Sequence, residues 1–392
     1  MGKRPTTAFI DRNALRHNYI QLKNHISEDV KILAVVKADA YGHGAIEVSR
    51  ILGEVGCRYF GVAILEEAAL LRDAGINSDI IILGGVYEGQ ESDVIKYRLT
   101  PVVFDEKTLA SLDHAAGEKG QKISIHVKVD TGMGRLGLQT HEVIPFFNKL
   151  KGFKNIAVEG ILTHLAEIDE DNKNPPPFEK RVGEGGFEKE GQGGFSRHQL
   201  GSFLKVIDTV KDMGFEPIYR HVANSAAIVN IPETHFNLVR PGIMLYGVYP
   251  AEKLKEKISL KPVLELKTRI VQLKKLSKGK SVSYGRTFTA KRESVIAVVP
   301  IGYGDGYPRH LSNKGEMLVH GKRARVAGVV CMDLTMLDVT DINNVHEGDE
   351  VTIIGRDGKE EIAVEEVAEK AGTIPYEILC NIVKRVPHLY IN

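Results

Sequence analysis

Along the first 250 residues, short runs rich in β-branched and apolar side chains recur at 32–36, 59–63, 80–83, 101–104, 123–129, 157–163, 218–222 and 238–240. Stretches with helical spacing separate most of them, as in Glu66 to Ala74. Runs that are apolar at consecutive positions belong to strands covered on both faces, the habit of parallel sheets flanked by helices. Eight such strands alternating with helices predict an α/β fold of the (β/α)8 TIM-barrel type.

Beyond about residue 250 the texture changes to period-two alternation at 263–270, 295–301, 325–330 and 351–354, joined by short turns with Gly, Asn and Asp. This pattern predicts a C-terminal, mainly β domain. A helical pattern at 364–370 and an apolar segment at 375–379 are expected to pack back onto it. The expected division is therefore a barrel over 1–250 and a β domain over 251–392, with the first few residues free to join the β domain. Residues 169–199 fit neither pattern: Asn174-Pro175-Pro176-Pro177 leads into a tract rich in Gly and Glu, which predicts a mobile surface insertion.

A chain of 392 residues exceeds the size at which one core stops growing. Lys and Arg number 52 against 51 Asp and Glu, so no basic field exists to attract nucleic acid or anionic lipid. A small-molecule partner fits that balance. The N-terminal stretch reaches Asp11-Arg12 before an apolar run develops, and no run approaches spanning length, so a cytoplasmic protein without membrane association is expected. Cys57, Cys331 and Cys380 are odd in number and far apart; reduced thiols are expected, with no metal site.

The chemically able residues fall at the C-terminal ends of the predicted strands: Lys37, Lys128 with Asp130, His164, Asn224 with Ser225, and Arg240. Barrel enzymes keep their active sites on that rim. Taken singly, each is also what a solvated loop contains; their convergence on one rim is the signal. A lysine amine at the end of a buried strand is partly desolvated, which favours its neutral form and suits it to Schiff-base or proton-transfer chemistry.

Lys37-Ala38-Asp39-Ala40-Tyr41-Gly42-His43-Gly44 closely resembles the cofactor-lysine signature of alanine racemases. The resemblance continues in order through Lys128-Val129-Asp130-Thr131-Gly132-Met133-Gly134-Arg135, Thr163-His164, Asn224-Ser225, Arg240-Pro241-Gly242-Ile243, Ser283-Tyr284-Gly285-Arg286, Gly302-Tyr303-Gly304-Asp305-Gly306, Cys331-Met332-Asp333 and Tyr376-Glu377. It implies an isomerase that interconverts L- and D-alanine by a two-base mechanism on a pyridoxal 5'-phosphate aldimine, supplying D-alanine for peptidoglycan. Lys37 would carry the cofactor and act as base on the D face, with Tyr284 as the opposing base and His164 as its relay partner.

The same resemblance places Arg240 opposite the pyridine nitrogen. It assigns the phosphate to Ser225, Tyr41, Tyr376 and the backbone N–H groups of Gly242 and Ile243. Arg135 would bind the substrate carboxylate or the cofactor's phenolic oxygen. Lys128 stands behind it, carbamylated in several family members. Tyr303 and Met332 would narrow the substrate entry. It further implies a head-to-tail homodimer in which Tyr284, Tyr303 and Met332 complete the partner's site. Alternatives are a pyridoxal-phosphate decarboxylase of the ornithine or diaminopimelate type, a non-catalytic cofactor-binding protein and a broad-specificity racemase. Arg240 and the Cys331-Met332-Asp333 triplet favour racemisation.

Overall fold

The computed structural model describes residues 4–166 and 194–392. Of eight strands, Lys31–Val35, Tyr59–Val62, Asp79–Ile82, Thr100–Val103, Ile123–Asp130, Ile156–Leu162, Tyr219–His221 and Leu238–Val239, the first seven pair in parallel as successive neighbours. Leu238–Val239 pairs with Lys31–Val35, and a parallel bridge between Asn224 and Arg240 brings the two ends of the ring together. The result is a nearly closed parallel barrel, as the eight apolar runs predict.

Alternation within a strand assigns the two faces. Ile125, Val127 and Val129 join the large core cluster that includes the surrounding helices, so the intervening Ser124, His126, Lys128 and Asp130 face inward. A separate cluster contributed by strands alone, Leu33, Ile81, Val102, Leu162 and Leu238, fills part of that interior. Polar inward positions near the strands' C-terminal ends are what this barrel offers for chemistry.

Apart from the short Leu138–Gln139, which pairs with Ile123–Asp130, the remaining strands build a mainly β domain. Its sheet runs in the order Gln272–Leu276, Ser294–Val299, Thr335–Asp338, Lys322–Val326, Glu316–Val319, Glu350–Asp357, Leu264–Arg269, Thr7–Asp11 and His388–Ile391, with Glu360–Ile362 paired to Glu350–Asp357. Thr7–Asp11 lies antiparallel to Leu264–Arg269 on one side and parallel to His388–Ile391 on the other. Helices Val364–Ala371 and Pro375–Cys380 follow.

Two expectations are corrected. The strand expected over 325–330 is instead Lys322–Val326, because Gly328 turns the chain with φ +88°, and a Cβ there would lie 2.7 Å from the Ser283 Cβ. The insertion expected over 169–199 is ordered from residue 194 onward as the helix Gly194–Asp212. Gln199 is fully buried: it accepts from the Ala166 N–H and donates to the His164 carbonyl. The rest of that expected insertion, to residue 193, lies outside the described residues. Among the described residues no helix is long and apolar enough to cross a membrane.

Candidate active site

Lys37 follows the first barrel strand and opens an unusual turn. Ala38, Asp39, Ala40 and Tyr41 all take φ between 51° and 55°, a single left-handed turn that runs into Gly42 at φ 78°. Each L-residue in this conformation costs about 1–2 kcal/mol, so surrounding bonds must hold it. The Glu67 carboxylate accepts the Ala38 N–H at 2.6 Å and the Ala63 N–H at 2.7 Å, tying the turn to the end of the next strand. His43 Nδ1 lies 3.0 Å from the Ala40 carbonyl and 2.8 Å from that of Tyr41. Both partners are acceptors, so Nδ1 is the protonated, donating nitrogen. Asp39 accepts the Ala45 N–H at 2.7 Å. The turn thereby presents Lys37 and Tyr41 from one rigid element.

Around Lys37 the barrel gathers positive charge. Burial, then the nearness of Arg135, pushes the Lys37 amine below its usual value, against an opposing pull from Glu67. Lys128 is buried, and burial followed by Arg135 and Arg240 brings it down to about 8. Asp130, on the same strand, does not neutralise the group through an ion pair. Its carboxylate accepts the N–H groups of Gly132, Gly134 and Arg135 and so shapes the loop that carries Arg135.

Arg240 is buried and donates to carbonyls of His221, Thr163 and Val222 at 2.7–2.9 Å. It also donates to His221 Nδ1 at 3.0 Å and to His164 Nδ1 at 3.4 Å. Burial lowers it to about 10. Burial and the neighbouring cations Arg240, Arg135, Lys128 and Lys37 drive His164 down to about 3, so at neutral pH His164 is an uncharged acceptor toward Arg240.

Three small polar groups converge beside this cluster. The Gly242 N–H donates to Ser225 Oγ at 2.8 Å, and a Cβ on Gly242 would lie 2.6 Å from Tyr41 Oη. Ile243 is fully buried and opens the 3-10 turn Ile243–Tyr246. The Tyr376 ring stands 6.0 Å from that of Tyr41. A glycine with no room for a side chain, two hydroxyls and a backbone N–H, next to an excess of buried cations, fits an anionic group such as a phosphate. A lysine held below its usual basicity, a polar corner of hydroxyls and a backbone N–H, and a buried guanidinium donor together suit pyridoxal phosphate.

Tyr284, Tyr303 and Met332 form a second group, in the β domain. Ser283 (φ 68°), Gly285 (φ 66°) and Arg286 (φ 52°) bend the chain so that Tyr284 projects, 71% exposed. Ser283 Oγ donates to the Val329 carbonyl at 2.6 Å. The Tyr303 and Gly304 N–H groups donate to the Cys331 and Met332 carbonyls. Tyr303 and Met332 are 43% and 52% exposed. These three residues are thus fastened to one another's loops rather than to the barrel cluster.

Reasoning from sequence overlooked Glu67, His126 and His221 as parts of the site. Glu67 is an ordinary first-turn acid in the helix Leu65–Asp73, and the histidines stand outside the quoted motifs. Only the period-two position of His126, inward like Lys128, carried a signal.

A barrel with a perturbed lysine at its mouth and a polar, cation-rich corner beside it suits the class of enzymes that hold pyridoxal phosphate on a lysine. Residues 10–250 match the family model for the alanine racemase N-terminal domain, and residues 263–390 match that for the C-terminal domain. The alanine racemase of Geobacter sulfurreducens is 44% identical over 396 residues, covering 100% of this chain and 98% of that one. Among solved structures, alanine racemase from Bacillus anthracis with bound L-Ala-P aligns at TM-score 0.89 and 34% identity, covering 100% of this chain and 96% of that one. Alanine racemase from Bartonella henselae with covalently bound pyridoxal phosphate aligns at TM-score 0.83 and 31% identity, covering 99% and 100%. The chain belongs to the alanine racemase family, whose members are pyridoxal-phosphate-dependent isomerases.

Proposed function

We propose that this protein interconverts L- and D-alanine using pyridoxal 5'-phosphate held on Lys37, with Lys37 and Tyr284 exchanging the α-proton on opposite faces. Arg240 carries the reading. Its acceptors are carbonyls and neutral imidazoles, with no carboxylate paired to it among the described residues. A guanidinium donates but does not readily release its proton, so a pyridine nitrogen facing it keeps its lone pair. That weaker electron demand suits reversible proton transfer over decarboxylation. When bound, the cofactor supplies the electron sink that makes the α-proton removable.

Ser225, Tyr41, Tyr376 and the N–H groups of Gly242 and Ile243 hold the phosphate; Arg135 takes the substrate carboxylate or the phenolic oxygen. Lys128, lowered to about 8, keeps enough neutral amine to take up carbon dioxide, and carbamylation would turn it into an anionic partner for Arg135. His164 relays protons with Tyr284. The exposure of Tyr284, Tyr303 and Met332 supports a head-to-tail homodimer in which each chain's β domain completes the other's site. The reading keeps two units, 1–250 and 251–392, with the first few residues free to join the second; matches to separate family models over 10–250 and 263–390 support it. A cytoplasmic enzyme that supplies D-alanine for peptidoglycan is the setting this activity implies.

The test is D-alanine formation from L-alanine by the cofactor-loaded protein, beside Lys37→Ala and Tyr284→Phe. Racemisation that is lost in Lys37→Ala, and selectively impaired from the L side in Tyr284→Phe, is expected. A lysine-bound cofactor spectrum without D-alanine would defeat the proposal, and release of carbon dioxide from ornithine, lysine or diaminopimelate would replace it with decarboxylation.

A further inference from the structure

Behind Arg240 the barrel interior contains two histidines: His221, which accepts from Arg240, and His126, to which no role is given above. His126 and His221 are both fully buried, with His126 Nδ1 2.8 Å from His221 Nε2 and their rings edge to face at 4.9 Å. The donors can be assigned along this chain. Arg240 only donates, so His221 Nδ1 accepts from it at 3.0 Å. A neutral His221 then carries its proton on Nε2 and donates to His126 Nδ1. A neutral His126 in turn carries its proton on Nε2, which has no hydrogen-bond partner among the described residues and lies 3.9 Å from a Glu159 carboxylate oxygen.

Burial, then Arg240, depresses both imidazoles, in keeping with neutral rings. A proton on either would set a second buried cation against Arg240.

The backbone is shaped around this pair. In the pairing of Ile123–Asp130 with Ile156–Leu162 the register shifts between Ile125 and His126, so that Glu159 is skipped and Gly160 falls opposite His126. A Cβ on Gly160 would lie 2.6 Å from the His126 ring. A bulge and a glycine facing one ring are the means by which a sheet admits a side chain that regular pairing would exclude.

We propose that His126 is a positioning residue for Arg240: by accepting from His221 Nε2 it locks His221 in the tautomer whose Nδ1 accepts from the guanidinium, fixing the direction in which Arg240 donates. The consequence for turnover rests on the functional reading above; the tautomer chain rests on geometry alone. Partners that orient metal ligands govern activity by about 10–100-fold, and an effect at the lower end of that range is expected for a partner that orients Arg240.

The experiment uses the cofactor-loaded enzyme labelled with 15N-histidine, as parent, His126→Asn and His126→Phe. Asn offers an oxygen acceptor near the place of Nδ1; Phe fills the ring volume and offers none. Ring-nitrogen spectra of the parent should show His221 protonated on Nε2 alone. In His126→Phe the His221 tautomers should mix and kcat should fall about tenfold, with KM for alanine changed by less than about threefold. His126→Asn should restore both the tautomer and most of kcat.

A parent His221 protonated on Nδ1 would overturn the proposal without any variant, as would His126→Asn being as impaired as His126→Phe. A parent that holds the tautomer but forms no D-alanine would remove the functional reading and leave the tautomer chain standing.

Discussion

Glu67 lies outside every quoted motif, yet its carboxylate accepts the N–H of Ala38, one residue past Lys37. Its charge raises the Lys37 amine while burial and Arg135 lower it. Glu67→Gln removes the charge and keeps one acceptor, so the amine should become neutral at lower pH. The rate at which apoenzyme captures pyridoxal phosphate should then shift its rising limb to lower pH; a limb that stays or moves upward would count against this role. Gly242 acts on the site through what it lacks. Its missing side chain leaves room for Tyr41 Oη, and Gly242→Ala should weaken cofactor retention about tenfold, ~1.4 kcal/mol, read from the cofactor's dissociation constant. Glu67 does not stand out in the sequence, because it resembles any helix-opening acid; Gly242 does so only through the family resemblance, since Pro241-Gly242 alone reads as a turn.

The left-handed turn after Lys37 shows where sequence patterns stop informing. Nothing in Ala38, Ala40 or Tyr41 favours positive φ, and the conformation is imposed by Glu67, His43 and the helix Pro375–Cys380 packed against it. Gly42 makes that packing possible: a Cβ would come within 2.1 Å of the Leu379 carbonyl oxygen. Gly42→Ala should therefore cost about 2–5 kcal/mol, strain and clash together. Gly75→Ala, at φ +83° with nothing within 4 Å, should cost only the strain, about 1–2 kcal/mol; equal losses in urea melts would contradict the difference.

By contrast, all eight barrel strands were legible, since consecutive apolar runs are needed wherever both faces of a strand are covered. Much of the β sheet was not. Gln272–Leu276 (QLKKL), Lys322–Val326 (KRARV) and Glu360–Ile362 are short and charged, and their place comes from ladder bonds to neighbours far away in the chain. The site was legible where a motif named it and hidden where buried histidines act through one another.

Four neutral histidines make the whole molecule sensitive to acid. His43 is held near 4, His126 and His164 near 3, and His221 well below its ordinary value of 6.5. The unfolded chain takes up their protons first, so stability is full above about pH 6.5 and is lost as pH falls toward the folded values. The slope is at most about 1.4 kcal/mol per pH unit for each histidine. Melting midpoints should drop steeply between pH 6.5 and 4; a flat profile there would contradict the neutral assignments.

Assembly has its own test. Mixing Lys37→Ala with Tyr284→Phe subunits should restore activity through hybrid dimers holding one intact site, and no recovery after verified subunit exchange would rule out shared sites. The strand Thr7–Asp11 has a different consequence, in time rather than space. Both its neighbours, Leu264–Arg269 and His388–Ile391, are made long after it. During synthesis it waits with its ladder groups unpaired while more than 250 residues are added, and its second edge is sealed only once residues 388–391 have emerged. A nascent chain stalled before residue 388 thus carries an open strand edge, the feature through which partly made chains pair with one another.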